Sequence, residues 1–349
     1  MPNKRGISRF IARFFIFTFL VAGIIAGAVL MNVFGPNPKL YTDEDWSNLT
    51  PYTSPHENIS QYNVVLDQHS HTLYSDGVLT VRQNIEWHIS MGFNCVIITD
   101  HNTVSHNTDI DSLKAEYLAR GIIVILGIEW TTDRIHMNFL GISEWNLQIP
   151  SYPTDQEIQD AIAEAHRQNA VTTVNHIPWS LNVAGMTEHP TRDQLRSWGI
   201  DYIEIVNEDT WDNESNNYCD TYGLGKITGT DMHSPSSVHG WTLLNVTNFT
   251  ESDIMASLRD KNTTIVYDEL GFADRGVYED NPLYYLVKPI SDFGGLFVDL
   301  WTGSGLDWMG VTTYLIYVYV LFGLLELYRY EKPKLKKKLI QRKNDITEK

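Results

Sequence analysis

Cysteine is nearly absent from this chain of 349 residues, which has only Cys95 and Cys219. Two thiols exclude the disulfide framework of a small secreted domain. Cys95 falls in the apolar run CVIIT, which favours a buried free thiol, and one Cys95–Cys219 disulfide is the alternative for an exported domain. The chain is long enough for one large domain or two ordinary ones, and its 43% hydrophobic content suits a folded core.

Basic residues are scarce in the middle of the chain. Of the 26 lysines and arginines, four precede residue 14 and nine follow from Arg329 onward. Residues 36–307 therefore keep 13 basic against 39 acidic residues, a net charge of -26. Such a surface repels the phosphate backbone, so we expect no nucleic-acid partner.

Charge of either sign is missing from two long stretches. Residues 14–38 carry none, and a helix over 14–34 is long enough to span a hydrocarbon core of about 30 Å. Trp308–Leu325 is the second uncharged stretch, and aromatic residues lie at its ends. A cleaved signal peptide and a buried core helix are the respective alternatives. The lengths and the basic flanks favour two transmembrane helices.

The basic flanks also predict the topology, because positive residues favour the cytoplasmic side of a membrane. Both termini are then cytoplasmic in a two-pass protein of the cell membrane, and the region between the spans is extracytoplasmic. The predicted order is a cytoplasmic N-terminus (1–13), a transmembrane helix (14–34), a linker (36–60), a metal-binding barrel (61–270), a juxtamembrane or interfacial segment (271–306), a transmembrane helix (308–328) and a basic cytoplasmic tail (329–349).

Two further features belong to the region between the spans. The run DFGGLFVDLW places apolar residues on one helical face, which fits a helix lying on the membrane or one packed against the domain. Six Asn-x-Ser/Thr triplets fit a glycosylated exported domain, and chance in an Asn- and Thr-rich chain explains them equally well. They begin at Asn48, Asn58, Asn213, Asn245, Asn248 and Asn262.

Short apolar runs alternate with helix-like stretches between the spans. The runs are NVVLDQHSH (63–71), CVIITDHN (95–102), GIIVILGIEW (121–130), HMNFLGI (136–142), VTTVNHI (171–177), YIEIVNED (202–209) and KITGTDMHS (226–234). Helical patterns fit at 80–92, 111–121 and 155–169. This alternation predicts an α/β fold, and seven strands suit a barrel better than an open sheet.

Imidazole and carboxylate side chains close most of these runs, at the strand ends where α/β barrels place their chemistry. His136 is the exception, because it opens a run. In HSH and DMH the two polar side chains point to one side of an extended strand. This set of ligand types suits Zn, Mn or Fe better than Ca or Mg. The residues that close a run are His69, His71, His101, Glu129, His176, Asp231 and His233.

The successive motifs HSHTLYSDG, IITDHN, GIEW, IHMNFLGI, NHIP and GTDMHS resemble those of the PHP (polymerase and histidinol phosphatase) superfamily, over about residues 63–269. The resemblance implies a distorted (β/α)7 barrel that binds two or three divalent ions and hydrolyses phosphoesters. It also implies nine ligands in three sets that share one bridging glutamate: His69, His71, Glu129 and Asp231; Glu129, His136 and His176; and Asp76, His101 and His233.

Catalysis is assigned to five of these ligands, around a water that the metals activate. They are His69, His71, Glu129, Asp231 and His233. Asp67, Asn102 and Asn175 lie beside ligands and could orient them.

Other side chains are candidates for contact with the substrate. Arg134 and Arg192 are the candidate substrate contacts, with a plain surface arginine as the alternative for each. Trp179 follows NHIP and either lines the pocket or packs in the core.

The predicted function is a membrane-anchored, extracytoplasmic hydrolase of a small phosphoester. An amidohydrolase barrel also opens with HxH, but many of those bridge two metals with a carbamylated lysine. The only lysine between His101 and His176 is Lys114, in a helical stretch. The alternative class is a non-catalytic metal-binding scaffold in a membrane or cell-surface complex, with partner subunits in the membrane.

Overall fold

The computed structural model describes residues 4–53, 59–298, 300–302 and 305–347, so the triplet at Asn58 lies outside the described residues. Contacts divide the chain into two units. The helical unit comprises Met1–Pro38 and Asn281–Lys349, and the barrel unit comprises Lys39–Asp280.

The strands are β1 (Lys39–Leu40), β2 (Val64–Asp67), β3 (Cys95–Ile98), β4 (Ile123–Thr131), β5 (His136–Leu140), β6 (Val171–Val174), β7 (Tyr202–Asn207), β8 (Thr210–Trp211), β9 (Gly225–Gly229), β10 (Val238–Leu244), β11 (Thr264–Phe272), β12 (Glu279–Asp280), β13 (Trp301–Thr302) and β14 (Gly305–Leu306). The helices are α1 (Lys4–Phe34), α2 (Glu44–Ser47), α3 (Val81–Ser90), α4 (Asn107–Ala119), α5 (Asp155–Arg167), α6 (Ile177–Asn182), α7 (Arg192–Trp198), α8 (Asn213–Tyr222), α9 (Glu251–Arg259), α10 (Pro282–Val298) and α11 (Trp308–Thr347), with one 3-10 turn at Ile59–Gln61.

Seven strands of the barrel unit form a nearly closed ring in the order β2-β3-β4-β5-β6-β7-β9. The pairs are parallel, except that β5 runs antiparallel to both of its neighbours. The ring closes just beyond β2 and β9, where Ser70 bridges Met232 and the His71 amide donates to the Met232 carbonyl at 3.0 Å. The α/β barrel expected from the sequence is therefore confirmed.

The direction of β5 explains why His136 opens its run. Since β5 is antiparallel to β4, its first residue pairs with the last residue of that strand, Thr131. The start of β5 thus lies at the edge where the parallel strands end. A histidine that looked misplaced in the sequence stands among the other strand-end residues.

Local sequence fixes the helices around the ring. Thr80, Thr154 and Thr191 each cap a helix whose third residue is Gln or Glu, and the side chains bond reciprocally to the backbone. Each such cap stabilises its helix by about 1 kcal/mol. Cys95 and Cys219 are both buried free thiols, so the structure does not form the alternative disulfide.

The segment expected to be a linker is packed into the barrel unit from Lys39 onward. Trp46 is fully buried, and its Nε1 donates to the hydroxyl of Tyr278 at 2.9 Å. Strand β1 pairs with β12, so residues on both sides of 61–270 belong to this unit. The burial of large aromatic side chains is what turns the segment into folded structure.

Two helices of the helical unit are long and apolar enough to cross a membrane, Gly6–Phe34 and Trp308–Lys338. Helix α10 lies within the predicted interfacial segment and packs along α1, where Asn32 Nδ2 donates to the Ser291 carbonyl at 3.1 Å. A Cβ at Gly294 would collide with the carbonyl oxygen of Ala28. Small residues permit this close approach of two apolar helices.

Candidate metal centre

The nine residues expected to be ligands lie together at one edge of the barrel. Each offers one ligand atom to at least one of four overlapping groups, in which these atoms are all within 4.8 Å of one another. The groups are His69, His71 and Glu129; Glu129, His136 and His176; His69, His176 and Asp231; and His71, Asp76, His101 and His233. Their binding of metal stays a prediction, and the structure provides its geometry.

Glu129 lies at the centre of this cluster and is fully buried. Its Oε1 is 3.1 Å from His136 Nδ1 and 3.3 Å from His176 Nε2. Its Oε2 is 2.7 Å from His101 Nδ1 and 3.4 Å from His69 Nε2. Nε2 of His71 also lies 3.5 Å from Oε2. The two carboxylate oxygens thus face different sets of imidazoles, which is the arrangement required of a bridging ligand.

Burial and charge act in opposite directions on these groups. Burial alone raises the pKa of Glu129, but the neighbouring His69 and His101 hold it well below its usual range. Burial likewise raises the pKa of Asp76, and hydrogen bonds from His101 and His233 lower it further than burial raises it. Burial lowers the pKa of His71 to about 4, which favours the neutral imidazole that binds metals.

The donor atoms fit divalent cations. Nε2 of His69 and Oε2 of Glu129 are buried. Both have polar neighbours within 4 Å, but neither forms a hydrogen bond of good geometry within the described part of the chain. Buried polar atoms rarely stay unsatisfied, and a shared cation would satisfy both at once. Imidazole with carboxylate suits Zn, Mn or Fe.

Glu204, on β7, is a part of the site to which the sequence analysis gave no role. It is buried, and its Oε1 lies 3.0 Å from Nδ1 of His69. Its Oε2 accepts hydrogen bonds from the His176 amide at 2.9 Å and from Asn207 Nδ2 at 3.0 Å. A carboxylate on Nδ1 directs Nε2 of His69 toward the cluster. The available signal was the acidic residue inside the apolar run YIEIV, because a buried carboxylate requires partners.

Asp100 was also missed, and it shapes the loop that carries Asp76. The amide and the hydroxyl of Thr72 both donate to its carboxylate at 2.7 Å, as does the hydroxyl of Ser75. His106 Nδ1 lies 3.0 Å away on the other side. Gly77 closes this loop, because a Cβ there would collide with the carbonyl group of His71.

Of the three side chains expected to orient ligands, Asn175 and Asp67 bond directly to one, Asp67 by accepting from the His69 amide at 3.3 Å, and Asn102 bonds to Thr131 instead. Asn175 Nδ2 donates to Oε1 of Glu129 at 3.0 Å. Asn102 exchanges hydrogen bonds of 2.8 Å with the backbone of Thr131. Asp67 accepts from the amide of Thr230 at 3.0 Å and lies 2.8 Å from His88 Nε2.

Strained backbone accompanies these contacts. His176 has φ 26°, Asp231 φ 50° and Asn102 φ 54°, in the left-handed region that side chains rarely adopt. Such conformations persist where the surrounding structure holds them, and they concentrate at functional sites.

The two arginines have structural partners. The guanidinium of Arg134 donates to the carbonyls of Glu188 and Pro153, at 2.7 and 2.9 Å, and also to Asp155. Neither arginine belongs to the ligand groups, and as substrate contacts both stay predictions.

Arg192 binds the start of α8. Its Nε donates to Ser215 at 2.8 Å, and its Nη2 donates to Asp212 at 3.1 Å. Trp179 is 42% exposed, with its ring centroid 4.9 Å from that of His176, so it lies at the rim of the site and not in the core.

The comparisons with known proteins agree with this description. Residues 67–209 match the family model of the PHP domain. A solved two-domain protein from Bacteroides vulgatus, which contains a predicted PHP-like metal-dependent phosphoesterase, is 23% identical with a TM-score of 0.51, over 64% of this chain and 70% of that chain. At this identity the likeness shows the fold. No curated protein matches the sequence.

Two further solved structures are more distant. A proposed metal-dependent phosphoesterase from Bifidobacterium adolescentis is 16% identical with a TM-score of 0.39, over 48% of this chain and 87% of that one. An amidohydrolase from Chromobacterium violaceum is 14% identical with a TM-score of 0.37, over 65% and 96%. The chain therefore combines a barrel in which residues 67–209 match the PHP domain model with two apolar helices long enough to cross a membrane.

Proposed function

We propose that this protein is a membrane-anchored, extracytoplasmic metal-dependent phosphoesterase that hydrolyses a small phosphoester. The observation that carries the proposal is the convergence of six imidazoles and three carboxylates on one barrel edge, with Glu129 between five of the imidazoles. This ligand set is larger than a single structural metal requires, since such sites have four ligands.

Two or three divalent ions would be held by the nine residues, with Glu129 shared between two of them. When bound, such ions supply Lewis acidity toward phosphoryl oxygens and lower the pKa of water. The protein's own contribution is to hold the ligands. Glu204 fixes the ring of His69, and Asn175 fixes Glu129. Asn207 Nδ2 donates to Oδ2 of Asp231 at 3.1 Å.

The burial of the ligands indicates the side from which a substrate would enter. The side chains of His69, His71 and Glu129 are fully buried. Those of Asp76 and His233 are 58% and 37% exposed. A phosphoester would therefore approach past Asp76 and His233. The net charge of -26 between the spans disfavours polyanions there, which supports a small substrate.

The membrane placement rests on the two apolar helices and their basic outer flanks. Membranes washed with alkaline carbonate should retain the full chain. A single cysteine introduced at exposed Asp111 should react with an impermeant maleimide on intact cells, whereas one at Lys336 should react only after lysis. Labelling of Lys336→Cys on intact cells would contradict the orientation.

The activity test uses the purified full chain loaded with Mn or Zn and a panel of monoesters and diesters of phosphate. We expect the wild type to hydrolyse at least one ester. The rate should fall about 100-fold or more in His69→Ala/His71→Ala and in Glu129→Gln, as for loss of an essential catalytic element. Activity removed by a chelator should return when metal is added. His166→Ala, which removes an imidazole bonded to Asp201, is the control and should stay active. Wild-type protein that binds metal but cleaves no ester would favour the scaffold alternative.

A further inference from the structure

A groove in the helical unit lies apart from the metal centre. It has a volume of about 420 Å³ and is formed by α1 and α11. The helices run antiparallel there, because Arg13 pairs with Glu326 while Phe17 contacts Phe322 with ring centroids 5.2 Å apart. Each helix therefore contributes residues to both ends of the groove.

The lining changes character from one end to the other. Arg13, Arg329 and Lys332 lie at one end, together with Glu326. The other end is apolar and includes Leu20. At a helical rise of about 1.5 Å per residue, Leu20 lies about 10 Å further along α1 than Arg13. The apolar lining residues are Ile16, Phe17, Leu20, Phe322 and Leu325. A cationic head with an apolar tail is the complement of an amphiphilic anion.

The charges at the cationic end do not cancel. Nε of Arg13 donates to Glu326 at 2.7 Å, and Nη2 donates to the second oxygen of the same carboxylate. Arg329 lies further from that carboxylate, at 3.6 Å, and its side chain is 62% exposed. Three cations and one anion thus leave an excess of two positive charges, at Arg329 and Lys332.

We propose that this groove binds an anionic phospholipid, with its phosphate at Arg329 and Lys332 and an acyl chain along Ile16, Phe17 and Leu20. The proposal rests on the membrane placement of the two helices given above, and not on phosphoesterase activity. A basic residue beside an anionic membrane surface contributes about 1 kcal/mol, or about a fivefold change in affinity. Apolar contacts along the groove add binding that a free anion lacks.

The experiment measures lipid binding to the full chain in detergent by native mass spectrometry. Phosphatidylglycerol and phosphatidylcholine with identical acyl chains are compared, with inorganic phosphate as competitor. We expect tighter binding of phosphatidylglycerol by about tenfold or more, given two cations at about fivefold each. Inorganic phosphate at millimolar concentration should not displace the lipid.

Matched variants locate the binding. Arg329→Gln/Lys332→Gln should lose the preference for phosphatidylglycerol. Lys336→Gln/Lys337→Gln removes the same charge from exposed positions outside the groove and should keep it. Arg329→Lys/Lys332→Arg conserves the charge and should also keep the preference. Leu20→Trp fills the apolar end of the groove and should weaken the binding of both lipids.

Equal binding of the two lipids by the wild type would overturn the proposal, as would an equal loss in the two glutamine double variants. Displacement by inorganic phosphate would show an anion site without an acyl chain and would overturn it too. Dimers that persist without lipid and bury the groove would identify a partner helix as its occupant and would likewise overturn the proposal. Because carbonate extraction and ester hydrolysis are measured separately, failure of lipid binding is distinguishable from failure of the proposed function.

Discussion

Nδ1 of His69 lies 3.0 Å from Oε1 of Glu204, and both side chains are buried where β2 and β7 approach the barrel edge. The glutamate belongs to none of the four ligand groups, yet its second oxygen accepts the backbone amide of His176. One carboxylate therefore orients two of the expected ligands, one through its ring and one through its backbone.

Replacing Glu204 should weaken metal binding. Glu204→Ala removes both hydrogen bonds, and we expect the metal affinity to fall about 10–100-fold. Glu204→Gln keeps one acceptor oxygen, so one of the two contacts can survive and the affinity should fall less. Metal titration against a competing chelator measures the affinity, with Glu164→Gln, at a surface pair with Arg167, as the control. An unchanged affinity in Glu204→Ala, accompanied only by a lower melting temperature, would reduce Glu204 to a packing role.

Asp100 should hold the loop that carries Asp76. In Asp100→Asn one oxygen must replace two that accept from Thr72 and Ser75, so we expect a loss of about 1–3 kcal/mol in the free energy of unfolding. Hydrogen exchange of the amides over residues 72–77 should accelerate in the same variant. Asp109→Asn removes only the charge of the exposed acceptor of Tyr74 and should change stability by less than about 0.5 kcal/mol. Equal effects of the two variants would contradict this role.

Periodicity and strand-end position were sufficient to predict the seven-stranded barrel and the convergence of seven polar residues, whereas Asp76 and His136 were added by the resemblance to the PHP superfamily. These two signals work because each run is buried and each ends in polar side chains, which strand pairing brings to one edge. The antiparallel direction of β5 was hidden, since a five-residue apolar run reads the same in either direction. Only the pairing of His136 with Thr131 reveals it.

Contacts between distant parts of the chain were beyond prediction. Glu204 contacts His69, which lies 135 positions away in the sequence. Arg134 donates to the carbonyl of Glu188, which lies 54 positions away. An apolar face left open whether this segment lies on the membrane or packs against the domain, and the packing of α10 along α1 could not be read from it. Trp46 likewise lies in a segment that the sequence predicts to be a linker, and only its contact with Tyr278 shows that the segment is folded.

Asp201 should make part of the stability depend on pH. Burial alone raises the pKa of Asp201, but hydrogen bonds from His166 and from the Thr172 amide lower it below its usual range. Because the pKa in the folded state lies below the unfolded value of about 3.9, the stabilisation is complete above that pH. It is lost as the pH falls through the folded pKa.

Asp201→Asn should therefore melt at a lower temperature than the wild type near neutral pH. The gap should begin to close as the pH falls below the unfolded pKa of about 3.9, and it should be gone only below the lowered pKa of the folded carboxyl. Melting is measured with a chelator present throughout, so that loss of metal does not contribute. Asp160→Asn, at an exposed partner of Gln156, should show a small gap that does not change with pH. If the difference in melting temperature between Asp201→Asn and the wild type persists at low pH, the asparagine destabilises the protein for steric reasons and not through the lost charge.

Gly294 should be required for the packing of α10 on α1. An added Cβ would meet the carbonyl oxygen and carbon of Ala28, which are backbone atoms that cannot rotate away. Gly294→Ala should therefore lower the melting temperature of the full chain in detergent. Gly323→Ala is the matched control, because a Cβ at Gly323 meets nothing within 4 Å. Alanine in a helix is about 0.5–1 kcal/mol more favourable than glycine, so this control should be neutral or stabilising. If both variants are stabilised alike, α10 does not approach α1 as closely as the structure places it.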